Sequence, residues 1–182
     1  MACNIFVKSQ APRWISWQPP VPPFCKLNTD GSRLQETGLA SAGGVVRDYL
    51  GAFIQGFSVN IGLVSIFLAE LWGCREGLIL CRSKGLKHLV VEMDSSSAVQ
   101  VIKGLKEHDS LAAILISDIR RLRAEFDSII FQHTFCEGNS AADFLAEIGH
   151  NSSVGTTVFD SPPPGLNFFL KRDMMGVAFL RH

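Results

Sequence analysis

The sequence predicts an α/β fold in which a mixed five-stranded sheet, three antiparallel strands followed by parallel ones, is flanked by helices. Three observations lead there. Strand-like runs come first, Phe24 to Thr29, Ala40 to Arg47 and Ala52 to Val59, with turn composition at Asp48-Tyr49-Leu50-Gly51. Between 64 and 84 the period changes, and Phe67, Leu68, Leu71, Trp72, Leu78 and Ile79 recur at three- and four-residue intervals as on a helix closed by Gly85. Short apolar runs at 88–93 and 128–135 then alternate with further helical segments, as strands buried in a mixed sheet do.

At 182 residues and 47% hydrophobic composition the chain suffices for one buried core plus tails. Residues 1–23, ending in Gln18-Pro19-Pro20-Val21-Pro22-Pro23, read as a proline-rich linker, because proline fixes φ and removes a donor. The domain proper is 24–150. Residues 151–182 are a tail rich in Ser, Gly and Pro, either strand-like and packed back on the body or disordered.

Seventeen basic residues balance seventeen acidic ones, which excludes a global positive field and leaves a polyanion only local patches or metal ions. Five cysteines without a C-x-x-C pair indicate neither a disulfide framework nor a structural zinc site. No apolar run approaches the ~18 to 20 residues of a membrane span, and no secretory signal is visible. The expectation is a soluble intracellular monomer, nuclear or cytoplasmic, with no membrane contact and no small-molecule cofactor.

Gly43-Gly44-Val45-Val46 reads as a strand closely approached by its neighbours, and Gly38 to Gly44 lacks the spacing of a nucleotide loop. Residues 110–126 form an amphipathic helix whose Arg120, Arg121 and Arg123 read as a solvated face. Glu137-Gly138-Asn139 opens a last helix stopped by Gly149.

Four acids stand at suggestive places, and each has an ordinary explanation. Asp30-Gly31 is a common hairpin signal, Glu70 and Asp143 complement helix dipoles, and Asp94 is placed as a helix cap. Coming from the first strand, the next helix, the end of the fourth strand and the last helix, the four together suggest convergence.

The residues Asn28-Thr29-Asp30-Gly31-Ser32, Ala69-Glu70-Leu71, Val91-Glu92-Met93-Asp94-Ser95 and Asn139-Ser140-Ala141-Ala142-Asp143 resemble, in order, the four signatures of the type I ribonuclease H family. More closely, the chain resembles the reverse-transcriptase-like, retrotransposon-derived ribonuclease H domains of plants. Supporting matches are Ile15-Ser16-Trp17-Gln18-Pro19-Pro20, Gly43 to Asp48, and Pro162-Pro163 with Asp173 and Gly176.

The resemblance implies a ribonuclease H-like fold. It also implies an endonuclease that cuts the RNA strand of an RNA–DNA hybrid, with Asp30, Glu70, Asp94 and Asp143 holding two magnesium ions, for which manganese can substitute. Gly31, Ser32, Ser96 and Asn139 are the implied substrate contacts. Two positions depart from the family: Cys136 stands where relatives carry arginine, and Ile66-Phe67-Leu68 replace polar residues that touch the DNA strand. Cys136 and the zero net charge favour the alternative of a weak or inactive module that binds nucleic acid or protein. His133 reads as a strand residue with a structural role.

Overall fold

The computed structural model describes residues 12–107 and 110–181. The first part of the linker, residues 1–11 with Cys3, lies outside the described residues. The strands are β1 (Arg13–Ile15), β2 (Cys25–Arg33), β3 (Leu39–Arg47), β4 (Phe53–Leu63), β5 (His88–Met93), β6 (Ser128–His133), β7 (Gly155–Phe159) and β8 (Phe179–Arg181). The helices are α1 (Ile66–Ser83), α2 (Ser96–Ile102), α3 (Ser110–Arg123), α4 (Ser140–Gly149) and α5 (Leu166–Met174).

The main sheet runs β6-β5-β2-β3-β4-β7, with β2, β3 and β4 antiparallel and β5 and β6 parallel to β2. The five expected strands are present, and the tail adds a sixth, β7, antiparallel to β4. Helices α1 and α3 cover one face through Leu71, Leu78, Ile116, Ile119 and Leu122 against Leu27, Leu89 and Val91. On the other, Leu145 of α4 and Leu166 and Leu170 of α5 pack with Val45.

Two glycines let the helices approach the sheet. A Cβ on Gly31 would stand 2.6 Å from the Glu70 backbone nitrogen, and one on Gly43 would stand 2.2 Å from that of Ala146. Any side chain at these positions would push α1 or α4 off the sheet.

The tail is ordered, but its apolar stretch is helical rather than strand-like. Leu166 and Leu170, four residues apart, share the buried face of α5, and Phe169 packs on Phe144 with ring centroids 5.1 Å apart. The linker reading also changes from Arg13 onward. β1 pairs antiparallel with β8, closing a two-stranded clasp between the two ends of the described chain.

Behind the clasp, Trp17 is buried and donates from Nε1 to Asn28 Oδ1 at 2.9 Å. The Arg47 guanidinium lies 3.7 Å from the Trp17 ring centroid, donates to Asn28 Oδ1 at 2.9 Å and pairs with Asp173 at 2.7 Å. Burial pushes the Arg47 pKa down and that of Asp173 up, each against the attraction of its partner. Residues 13–17 and 155–181 thus pack on the domain.

Among the described residues Cys25, Cys74, Cys81 and Cys136 are free thiols. No described helix is long and apolar enough to cross a membrane.

Candidate metal centre

β2 runs unbroken through Asp30, which pairs with Gly43 of β3. The Asp-Gly is therefore mid-strand and no hairpin, and Asp30 points from the central strand with 5% exposure. Glu70 lies in the second turn of α1, whose N-cap is Ser65, accepting from the Leu68 amide at 3.3 Å. It is buried, so its place is set by packing on β2 rather than by the dipole.

At the end of β5 the capping of α2 falls to Ser95, whose Oγ accepts from the Ala98 amide at 3.3 Å. That leaves the half-buried Asp94 carboxylate free. Carboxylate oxygens of Asp30, Glu70 and Asp94 all lie within 4.8 Å of one another. Asp143, exposed in the first turn of α4, lies near enough for its charge to act on Asp30. The structure brings all four acids together.

Their electrostatics follow from crowding without a cation. Burial, then the charges of Glu70, Asp94 and Asp143, raise the Asp30 pKa. Burial and Asp94 raise that of Glu70, against the lowering effect of a hydrogen bond from the Gly31 amide. Asp143 is raised chiefly by burial. Buried like charges resist joint ionisation.

A folded-state pKa above the unfolded one means the native state holds more protons, so stability falls as pH rises. The window opens at the ordinary values, 3.8 for aspartate and 4.5 for glutamate, and extends upward. The metal-free protein should therefore melt at progressively lower temperature from about pH 5 to pH 8, measured by calorimetry in chelator. An Asp30→Asn variant with the same slope would contradict this.

The donor set fits a hard divalent cation. All ligands are carboxylate oxygens, the type magnesium and manganese prefer. Glu70 Oε2 is buried without a hydrogen-bond partner among the described residues, an atom whose isolation a cation would relieve.

The expected substrate contacts fare differently. Ser96 is exposed at the start of α2. The Gly31 amide is turned to Glu70, and Ser32 Oγ meets His150 Nε2 at 3.0 Å. Asn139 does not face a groove: it is 1% exposed and donates to the Thr29 carbonyl at 3.0 Å, while its Oδ1 accepts from Asn28 at 3.2 Å. Its own carbonyl accepts from the Asp143 amide at 3.1 Å. Asn139 thus ties the strand beside Asp30 to the helix turn carrying Asp143.

The sequence gives His133 a structural place in a strand. It ends β6 exposed, its Nε2 3.1 Å from the Asp94 carbonyl oxygen and its ring edge-on to Phe135. Cys136 is exposed, and Arg181 of β8 reaches it at 3.7 Å while pairing with Glu137 at 3.0 Å.

A sheet whose central strand presents an acid, met by acids from α1, β5 and α4, defines a ribonuclease H-like domain. The family model described as "Reverse transcriptase-like" matches residues 28–149. The chain belongs to this reverse transcriptase-like family. An Arabidopsis thaliana relative named "Putative ribonuclease H protein" is 35% identical over 177 residues, 95% of this chain. The chain spans 28% of that relative's length.

The fold is shared with solved structures. The N-terminal RNase H domain of a Mycobacterium tuberculosis protein superposes with a TM-score of 0.67 at 24% identity, covering 70% of this chain and 94% of its own. RNase H1 of Halobacterium salinarum gives 0.67 at 20% identity, with 71% and 99% covered. LC11-RNase H1, solved in complex with an RNA/DNA hybrid, gives 0.65 at 23% identity, with 70% and 96% covered.

Proposed function

We propose that this domain is a metal-dependent endonuclease that hydrolyses the RNA strand of RNA–DNA hybrids, leaving a 5′-phosphate and a 3′-hydroxyl. The observation that carries the reading is the convergence of Asp30, Glu70 and Asp94 within 4.8 Å, with the Asp143 charge acting on Asp30. Membership of the family and the RNase H1 structure bound to hybrid support the substrate class.

Asp30, Glu70 and Asp94 would hold a divalent cation, with Asp143 beside them able to contribute a further carboxylate. When bound, such ions neutralise phosphate charge and make a water nucleophilic near neutral pH. The protein's part is placement. Gly31 orients Glu70 through its amide, Ser95 leaves Asp94 free by taking the cap, and Asn139 anchors the turn carrying Asp143. His133, exposed beside Asp94, is the group able to carry a proton at this edge.

His133→Ala should lower kcat roughly 100-fold, the scale of general acid–base assistance, with KM little changed; a parent-like rate would remove His133 from the mechanism. The substrate reading is tested by incubating the protein in magnesium or manganese with a hybrid labelled on either strand, beside RNA–RNA and DNA–DNA duplexes. Cutting confined to the RNA strand of the hybrid is expected. Equal cutting of the duplexes would contradict the assignment.

A binding role without cutting is the second reading. It is favoured by the apolar surface that Leu63, Ile66 and Leu111 expose around one pocket near the start of α1, at 75%, 47% and 73%. No cleavage of any duplex, with binding retained, would select it.

A further inference from the structure

The proposed chemistry leaves unused a groove of about 490 Å³ alongside β6, the strand at the free edge of the main sheet. Trp14, Pro19 and Pro20 line one part of it, and Gln132, His133 and Phe135 another. We propose that this groove, with Arg13 and Arg181 of the neighbouring clasp, is a subsite for an unpaired nucleotide of a strand that flanks the hybrid. The proposal rests on reading the acid cluster as a hybrid nuclease.

Continuity with the site comes first. His133 lines the groove and its ring lies 3.1 Å from the Asp94 carbonyl, so the groove adjoins the edge of the acid cluster. The walls then suit a base. Trp14 is 70% exposed, with an indole face open for stacking. Phe135, by contrast, is already covered by the Arg181 guanidinium at 4.5 Å from its centroid and by the edge of His133. An exposed aromatic beside cationic groups is how single strands are held without sequence preference. The volume is in the range of small-ligand sites.

Charge is the third argument. Arg13 and Arg181 are direct cross-strand partners in the clasp, and like charges placed opposite one another cost stability. Glu137 offsets only one of them: Arg181 pairs with it, while Arg13 has no ion pair among the described residues. A phosphate would relieve that cost. The one carboxylate in the floor, Glu92, does not oppose an anion, because Lys26 pairs with it and Gln132 donates to it at 2.7 Å. On a chain of zero formal net charge, this is the kind of local patch a polyanion requires.

The test uses the full chain in metal-free buffer and fluorescence anisotropy with three probes: a blunt hybrid, the same hybrid with a single-stranded uridine flank, and hexauridylate alone. The flank should tighten binding about tenfold, the scale of one stacked base. Trp14→Ala should erase that gain and leave blunt-hybrid affinity unchanged. Arg13→Ala should lower the salt dependence of flank binding by roughly 0.7 in log–log slope, one single-strand phosphate contact. Both side chains are exposed, so melting curves should match the parent's.

No gain from the flank, or a gain that survives Trp14→Ala, overturns the proposal, as does an acidic proline-rich peptide binding the groove while hexauridylate does not. If the blunt hybrid is not bound here and not cut in magnesium, but hexauridylate binds in a Trp14-dependent way, the nuclease reading fails and the subsite stands.

Discussion

Asp30→Asn is expected to abolish hybrid cleavage, by at least about 10³-fold, since divalent-ion catalysis is worth several kcal/mol and each 1.36 kcal/mol is tenfold in rate. The same change should raise the melting temperature of the metal-free protein. Asp30 is buried among Glu70, Asp94 and Asp143, and each repels its ionised form; a neutral amide of the same shape removes that repulsion. Magnesium should stabilise the parent and not the variant, because binding to the native state alone is added stability. Calorimetry with and without millimolar magnesium reads both effects. A variant that melts lower than the parent in chelator, or gains as much from magnesium, would show that Asp30 is a packing residue.

Arg47→Ala is expected to cost about 3–5 kcal/mol, the penalty for leaving one member of a buried ion pair without its partner. Domains of this kind are stable by only ~5–15 kcal/mol, so the loss is a large share. Arg47 is 1% exposed and Asp173 6%, and the guanidinium also stacks on Trp17 and donates to Asn28. Asp173→Ala should do comparable damage through the stranded Arg47 charge. The double change Arg47→Met with Asp173→Leu should cost less than either single change, because burial works against both charges. Urea unfolding of the three variants decides it. Additive losses in the double variant would mean that the pair itself is not what holds the terminal segments to the domain.

The acids were legible because they come in local patterns: a strand, a helix with clean period and two strand-to-helix or loop-to-helix entries. What resolved their ordinary explanations was not local. That β2 continues through Asp30 depends on its pairing with Gly43, and that Asp94 is free depends on which of two adjacent residues takes the cap.

The terminal segments were misread for the same reason on a larger scale. The proline run at 18–23 carries linker chemistry, yet Trp17 is fixed by Asn28, and Arg47 finds its carboxylate 126 positions away. No periodicity announces such a contact. β7 is short and follows Ser152-Ser153, so it reads as loop, and Leu166 to Leu170 becomes a helix because its two leucines face the cover of α4. Asn139 reads as a substrate contact in the sequence, and only the fold shows its side chain buried and engaged by Thr29 and Asn28.

The most direct measurement is the cleavage of a labelled RNA–DNA hybrid in magnesium by the parent beside Asp94→Asn, whose carboxylate is the half-buried member of the cluster and whose substitution disturbs packing least. The account predicts RNA-strand products from the parent, loss of that activity in the variant, and matching folded spectra for both. Equal activity in the two proteins, or none in the parent with either magnesium or manganese, would contradict it.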